Sequence, residues 1–92
     1  MIKSFRHKGL EKFFRTSSKA GIQPTHAKRL QEQLSFLNAA TEPRDMNLPG
    51  YRLHLLSGSL AGHYAIWISA NWRLTFSFDG KDVILTDYQD YH

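Results

Sequence analysis

The chain contains no cysteine. Neither a disulfide framework nor a thiolate metal site is therefore open to it, which fits a reducing compartment. No apolar run approaches the length needed to cross a bilayer. The opening MIKSFRHKGL carries charge, but no apolar stretch or small-residue cleavage site follows it, so it does not read as a signal peptide. A soluble, cytoplasmic protein is expected. A glycine-rich phosphate loop is missing, and no His/Asp/Glu spacing has the local signature of a metal site, so neither cofactor nor metal is expected. There is no internal repeat and no low-complexity tract.

Acid is scarce where base is plentiful. Residues 1–30 hold Lys3, Arg6, Lys8, Lys12, Arg15, Lys19, Lys28 and Arg29 against Glu11 alone. The net charge of +4 is thus +7 from this first third and −3 from the remainder. Such a basic surface concentrates polyanions and favours nucleic acid or an acidic protein partner, although a solvated helical face has the same composition. These eight side chains are the expected contacts to a polyanion such as RNA.

What is present suffices for a packed core. Hydrophobic residues make up 41% of the chain, with two Trp, four Tyr and six Phe, which argues against disorder. Ninety-two residues are too few for two cores, so 1–92 is expected to be one domain. Ile2-Lys3-Ser4-Phe5 alternates like a short half-buried strand. Leu10, Phe13 and Phe14 stand at helical spacing over 8–16, and Gly21 then breaks the chain. Pro24-Thr25 opens a second helix, with Thr25 the expected N-cap. Leu30, Leu34 and Leu37 form its stripe at i, i+4 and i+7, with Ala27 ahead of them. The helix should end near residue 40, before a polar linker over 41–50.

From 51 onward the period changes to two. Tyr51 to Leu55, His63 to Ile68, Trp72 to Phe78 and Asp82 to Tyr88 read as strands, with Asp79-Gly80 a hairpin signal. The expected class is α+β: two N-terminal helices packed on one face of a mostly antiparallel sheet. Strict alternation over 72–78 sends Trp72, Leu74, Phe76 and Phe78 toward the helices. It sends Arg73 outward with Thr75 and Ser77, either as a ligand-binding residue or as a surface arginine on a solvated sheet.

His54 faces away from Leu53 and Leu55, and the chain ends in Asp90-Tyr91-His92. Chain ends are usually frayed and dispensable, and each feature has a bland alternative, a structural histidine in one case and a terminal strand whose Tyr88 or Tyr91 plugs the sheet in the other. His7, His26 and His63 lack comparable company. Together with Arg73, however, these residues suit RNA cleavage without metal. A base must activate the ribose 2′-hydroxyl, an acid must protonate the leaving 5′-oxygen, and a cation must stabilise the phosphorane. Histidine can serve as acid or base, and a guanidinium fork matches phosphate oxygens. Tyr91 can stack on a base or donate a hydrogen bond.

Several stretches carry a family resemblance from end to end. They are MIKSFRHKGLEKFF, Ala40-Thr41-Glu42, Tyr51-Arg-Leu-His-Leu-Leu-Ser-Gly, Ala70-Asn71-Trp72-Arg73-Leu74-Thr75-Phe76 and the terminal Asp90-Tyr91-His92. On these the chain resembles the RelE/ParE toxin superfamily, in its HigB-like "plasmid maintenance killer protein" branch. The resemblance implies a RelE-like fold akin to microbial ribonucleases, and ribosome-dependent endonucleolytic cleavage of mRNA in the 30S A site. It implies neutralisation by a cognate HigA-like helix-turn-helix antitoxin that represses the operon, in a heterotetramer. By position, His54, Arg73, Asp90, Tyr91 and His92 fall on the branch's functional residues. His54 or His92 would exchange protons, Asp90 would orient an imidazole, and Arg73 would stabilise the phosphorane. Some members carry a lysine three residues after the histidine, expected to hold phosphate, where this chain has Ser57. The superfamily's gyrase-poisoning arm, which binds without cutting, and a degenerate toxin acting only in the antitoxin–operator complex are the alternatives.

Overall fold

Helical spacing of apolar residues in the first half and alternation in the second produce two layers. The computed structural model describes residues 1–91, with α1 over Lys8–Thr16 and α2 over Ala27–Ala39. The α1 start is fixed by His7, whose Nδ1 accepts the Leu10 N–H at 3.0 Å in the manner of an N-cap. Its end is Ser17, left-handed at φ 64, whose N–H bonds the Phe13 carbonyl. Gly21 therefore does not stop the helix. It lets two backbones touch, because a Cβ on Gly21 would lie 2.6 Å from the Gly9 Cα.

Thr25 is not the N-cap of the second helix. Pro24–His26 forms a 3₁₀ turn that runs straight into α2, leaving Thr25 inside the turn. The α2 stripe is as its spacing demands, with Leu30, Leu34 and Leu37 sealed from solvent. Burying each is worth about 1.5–3 kcal/mol relative to exposure. The polar stretch after α2 is also ordered. Asp45 accepts the Thr41 and Glu42 N–H groups, and the 3₁₀ turn Pro43–Met46 sinks Met46 into the core.

Four strands follow: β1 (His54–Leu55), β2 (Tyr64–Ser69), β3 (Trp72–Asp79) and β4 (Asp82–Asp90), antiparallel and in that order across the sheet. The strand expected over 51–55 shrinks to two residues because Arg52 adopts φ 51, a left-handed kink that no ladder accepts. Tyr51 nevertheless holds the segment down, its carbonyl accepting the Trp67 N–H at 2.7 Å. Gly80, at φ 63, makes the expected turn between β3 and β4.

The expected strand over 2–5 is likewise reduced, to parallel bridges Ile2–Val83 and Phe5–Thr86 on the outer edge of β4. A β-bulge explains the gap. Leu85 sits at φ 56 between those two bridges, and the Ser4 hydroxyl takes its N–H at 2.8 Å. On the helix side, Ile66, Ile68, Leu74, Phe76 and Val83 meet Leu10, Leu30, Leu34 and Leu37 in one core. Trp72 and Phe78 pack partly buried at its margins, so the alternation over β3 holds.

Candidate active site on the open sheet face

Cross-strand partners share a face, so the register alone assembles the site. One row runs His54, Ala65, Thr75, Asp87 across all four strands. The next runs Trp67, Arg73, Gln89. Both lie on the face turned away from Leu74, Phe76 and the helices. Two strand spacings of about 4.8 Å and two residues of about 3.3 Å put the His54 and Arg73 Cα atoms about 12 Å apart. A phosphodiester fits between an imidazole and a guanidinium reaching toward each other over that span.

The expected open patch is narrower than alternation alone implies. Thr75 is not exposed beside Arg73: it is 1% accessible, and Ala65 beside it is fully buried. These short side chains occupy the middle strands, so the row presents chemistry only at its ends, His54 and Asp87.

His54 is exposed, and its Nδ1 lies 2.9 Å from the Arg52 carbonyl. A carbonyl can only accept, so Nδ1 carries the proton and the neutral ring keeps a lone pair on Nε2. Arg73 is half-buried, and its Nε and Nη2 donate to Gln89 Oε1 at 3.3 and 3.2 Å. Gln89 Nε2 donates in turn to Asp87 Oδ2 at 3.0 Å, and Asp87 Oδ1 accepts the Tyr88 N–H. This chain fixes the guanidinium plane and spreads the Asp87 charge toward it without a direct ion pair. The remaining Arg73 donors have no protein partner among the described residues. Tyr91 is half exposed, lies with its ring 4.5 Å from the Arg73 guanidinium carbon, and is anchored by its N–H to the Asn71 carbonyl.

The expected tail divides. Asp90 pairs with Trp72 and shares the Tyr88 side of β4, opposite to Gln89. Tyr91 stands with Arg73, and His92 lies outside the described residues. Beneath this end of the sheet, the Tyr88 hydroxyl accepts the Gln23 N–H and meets His26 Nδ1 at 2.6 Å. Trp72 stacks on Tyr88, with ring centroids 4.5 Å apart. Burial holds the His26 imidazole below the ordinary 6.5 and pushes the Tyr88 phenol up, so the pair is neutral.

The eight basic residues of the first third are not equivalent. Lys3, Arg6, Lys8 and Lys12 are exposed. Arg15 is ion-paired with Glu11, and Lys19 and Lys28 rim a cavity of about 360 Å³ between the helices, floored by Phe13, Phe14 and Leu34. Arg29 is a structural staple. Its Nη2 donates to the Gly50 and Trp67 carbonyls, and its guanidinium covers the Tyr51 ring. Composition does not separate these cases, because a paired cation and a free one look alike in sequence. Gln89, Asp87, Trp67 and Arg52 were not singled out by sequence reasoning, and only the register groups them with Arg73 and His54.

Comparison with known proteins identifies the family and the fold. A family model described as RelE-like toxin of type II toxin-antitoxin system HigB matches residues 3–92. The chain belongs to that family. Endoribonuclease HigB of Proteus vulgaris is 39% identical over 92 residues, the whole of both chains. A crystal structure of a YafQ mutant from E. coli superposes with a TM-score of 0.54 at 18% identity, covering 98% of this chain and 93% of that one, and so shares the fold. Membership in a HigB-like type II system implies an antitoxin partner for the chain. Among the described residues no helix is long and apolar enough to cross a membrane.

Proposed function

We propose that the chain is the toxin of a type II toxin–antitoxin pair and a metal-independent endoribonuclease, cutting mRNA in the ribosomal A site within the cytoplasm. The observation that carries this reading is the 2.9 Å contact between His54 Nδ1 and the Arg52 carbonyl. With Nδ1–H donated to the Arg52 carbonyl, Nε2 is left as a base on the face that carries Arg73.

The chemistry then follows from the groups present. His54 Nε2 takes the proton of the 2′-hydroxyl, and that oxygen attacks the adjacent phosphorus. Free N–H groups of Arg73 bond the non-bridging oxygens as charge builds on the phosphorane. The bond to the 5′-oxygen breaks, and that oxygen takes a proton from an imidazolium, the role left to His92, which falls on a functional position of the family, once His54 is the base. A 2′,3′-cyclic phosphate and a free 5′-hydroxyl result. Tyr91, against Arg73, offers a ring for stacking and a phenol for hydrogen bonding. Asp90 acts at the tail, orienting an imidazole. Lys3, Arg6, Lys8 and Lys12 meet ribosomal RNA, and the partner is a HigA-like helix-turn-helix antitoxin assembled with the toxin as a heterotetramer.

Expression of the chain without its antitoxin tests the reading. Growth arrest with new mRNA 5′ ends inside codons is expected, abolished by His54→Gln and by Arg73→Ala with circular dichroism unchanged. A DNA-damage response with intact mRNA would instead place the chain with the gyrase poisons. Absence of any growth effect would leave it a partner of the antitoxin alone.

A further inference from the structure

The site face carries a second guanidinium that the proposed reaction does not use. Arg52 is exposed, and its Cζ lies 4.4 Å from the centroid of the Trp67 ring. Among the described residues its guanidinium makes no hydrogen bond and no ion pair, so all of its donors are open. Trp67 is the cross-strand neighbour of Arg73. Register therefore sets Arg73 beside the residue on which Arg52 sits, an indole that the structural Arg29 also approaches at 5.5 Å, with His54 two residues from Arg52.

The backbone around Arg52 is unusual in the same place. It holds φ 51, a conformation disfavoured for any residue with a Cβ. The strain persists because three contacts determine it. The Tyr51 carbonyl accepts the Trp67 N–H at 2.7 Å, Arg29 grips the Gly50 carbonyl at 3.0 Å, and the Arg52 carbonyl itself accepts from His54 Nδ1. Strain of this kind gathers where a side chain must be aimed. Here the kink both orients the imidazole and lays the guanidinium on the indole.

Charge decides what such a group binds. The described carboxylate on this face near Arg73 is Asp87, already tied to Gln89 and the Tyr88 amide. The residue three beyond His54 is the neutral, exposed Ser57. A flat guanidinium with free donors matches two oxygens of a phosphodiester, and its plane can carry a stacked base. We infer that Arg52, seated on Trp67, binds the RNA backbone phosphate next to the one being cut, holding the strand across His54 and Arg73. This rests on the nuclease reading above.

The test is single-turnover cleavage of mRNA on programmed ribosomes over a series of toxin concentrations, for the wild type, Arg52→Ala and Arg52→Lys. Arg52→Ala should raise the half-saturating concentration about tenfold, the loss of one charged contact. Maximal rate and its pH profile should stay as in the wild type, because the carbonyl that holds His54 belongs to the backbone. The melting temperature should fall by no more than about 5 °C, the loss of one exposed cation–π contact. The logarithmic salt dependence should become shallower by about one unit. Arg52→Lys should restore that slope and part of the affinity. Unchanged half-saturation in Arg52→Ala overturns the assignment while leaving the nuclease intact. A melting temperature lowered beyond the cation–π loss, together with a lowered maximal rate, overturns it too, since Arg52 would then be structural. A wild type that cuts nothing overturns the nuclease reading and this one together.

Discussion

Tyr88→Phe removes a single oxygen atom, and the structure says what that atom does. The hydroxyl accepts the Gln23 N–H at 3.3 Å and lies 2.6 Å from His26 Nδ1, to which it donates in the tautomer that leaves Nδ1 unprotonated, inside a cluster where Tyr88 and His26 are 4% and 7% exposed. Losing the bond to His26 costs about 1 kcal/mol, and leaving a buried ring nitrogen and a half-buried amide without partners adds about 1–2 kcal/mol. A total of about 2–3 kcal/mol is expected. Unfolding entropy of about 2.1 cal/mol/K per residue over this chain converts that to a melting-temperature drop of about 10–15 °C at pH 8. The pH dependence supplies a second, independent reading. Folded His26 titrates below 6.5, so between its folded and unfolded values the unfolded chain binds more protons and stability rises with pH. Wild-type stability therefore falls as the pH drops below about 6.5. A protonated Nδ1 cannot accept the phenol proton, so the gap between wild type and Tyr88→Phe should narrow at pH 5. Urea denaturation followed by circular dichroism at pH 8 and pH 5 measures both. A gap under about 0.5 kcal/mol at pH 8, or one that widens in acid, would refute the reasoning.

Other perturbations separate chemistry from architecture. Arg73→Lys should fold as the wild type yet cut about 10²–10³-fold more slowly in the ribosome assay, because an ammonium can neither lock onto Gln89 nor offer a fork to the phosphorane. Arg29→Met should lose about 1–2 kcal/mol in urea denaturation by removing the donor to the Gly50 carbonyl and leaving Gln33 to hold the Trp67 carbonyl by itself, whereas Lys12→Ala should stay within about 0.5 kcal/mol. Gly21→Ala drives a methyl group into the Gly9 backbone and should cost about 1–3 kcal/mol, read from the shift of its urea midpoint.

Much of the fold is legible because simple periods govern it. The α2 stripe needs only 3.6-residue spacing, and the β3 faces need only alternation. Sequence reasoning fails where a residue leaves its period. Arg52, Ala70 and Leu85 take positive φ without being glycine, and no composition rule marks them. Arg52 cuts the expected first strand to two residues, and Leu85 reduces the N-terminal strand to two bridges. The Thr25 cap fails for a related reason: Pro24 starts a 3₁₀ turn, and the residue at the head of α2, His26, spends its ring on Tyr88 instead. Arg73 was legible as outward-facing, but its partner was not.

That partner is decided by the bulge at Leu85. Near the Asp79-Gly80 turn the hairpin pairs Asp79 with Asp82, Phe78 with Val83 and Ser77 with Ile84. Continued without interruption, this register would set Arg73 against Tyr88 and aim the even-numbered residues of β4 at the site. One extra residue shifts everything beyond it. Thr75 meets Asp87, Arg73 meets Gln89 and Trp72 meets Asp90. The shift turns Tyr88 inward, where its phenol finds His26, and brings Gln89 and Tyr91 to Arg73. It also moves Asp90 to the Tyr88 side, which explains why a contiguous Asp90-Tyr91 motif divides between two faces. The core anchor and the site scaffold are thus alternate residues of one strand, so mutations that loosen the bulge should disturb packing and catalysis together. A substitution confined to Gln89 should release the Arg73 guanidinium and the Asp87 carboxylate without disturbing the core.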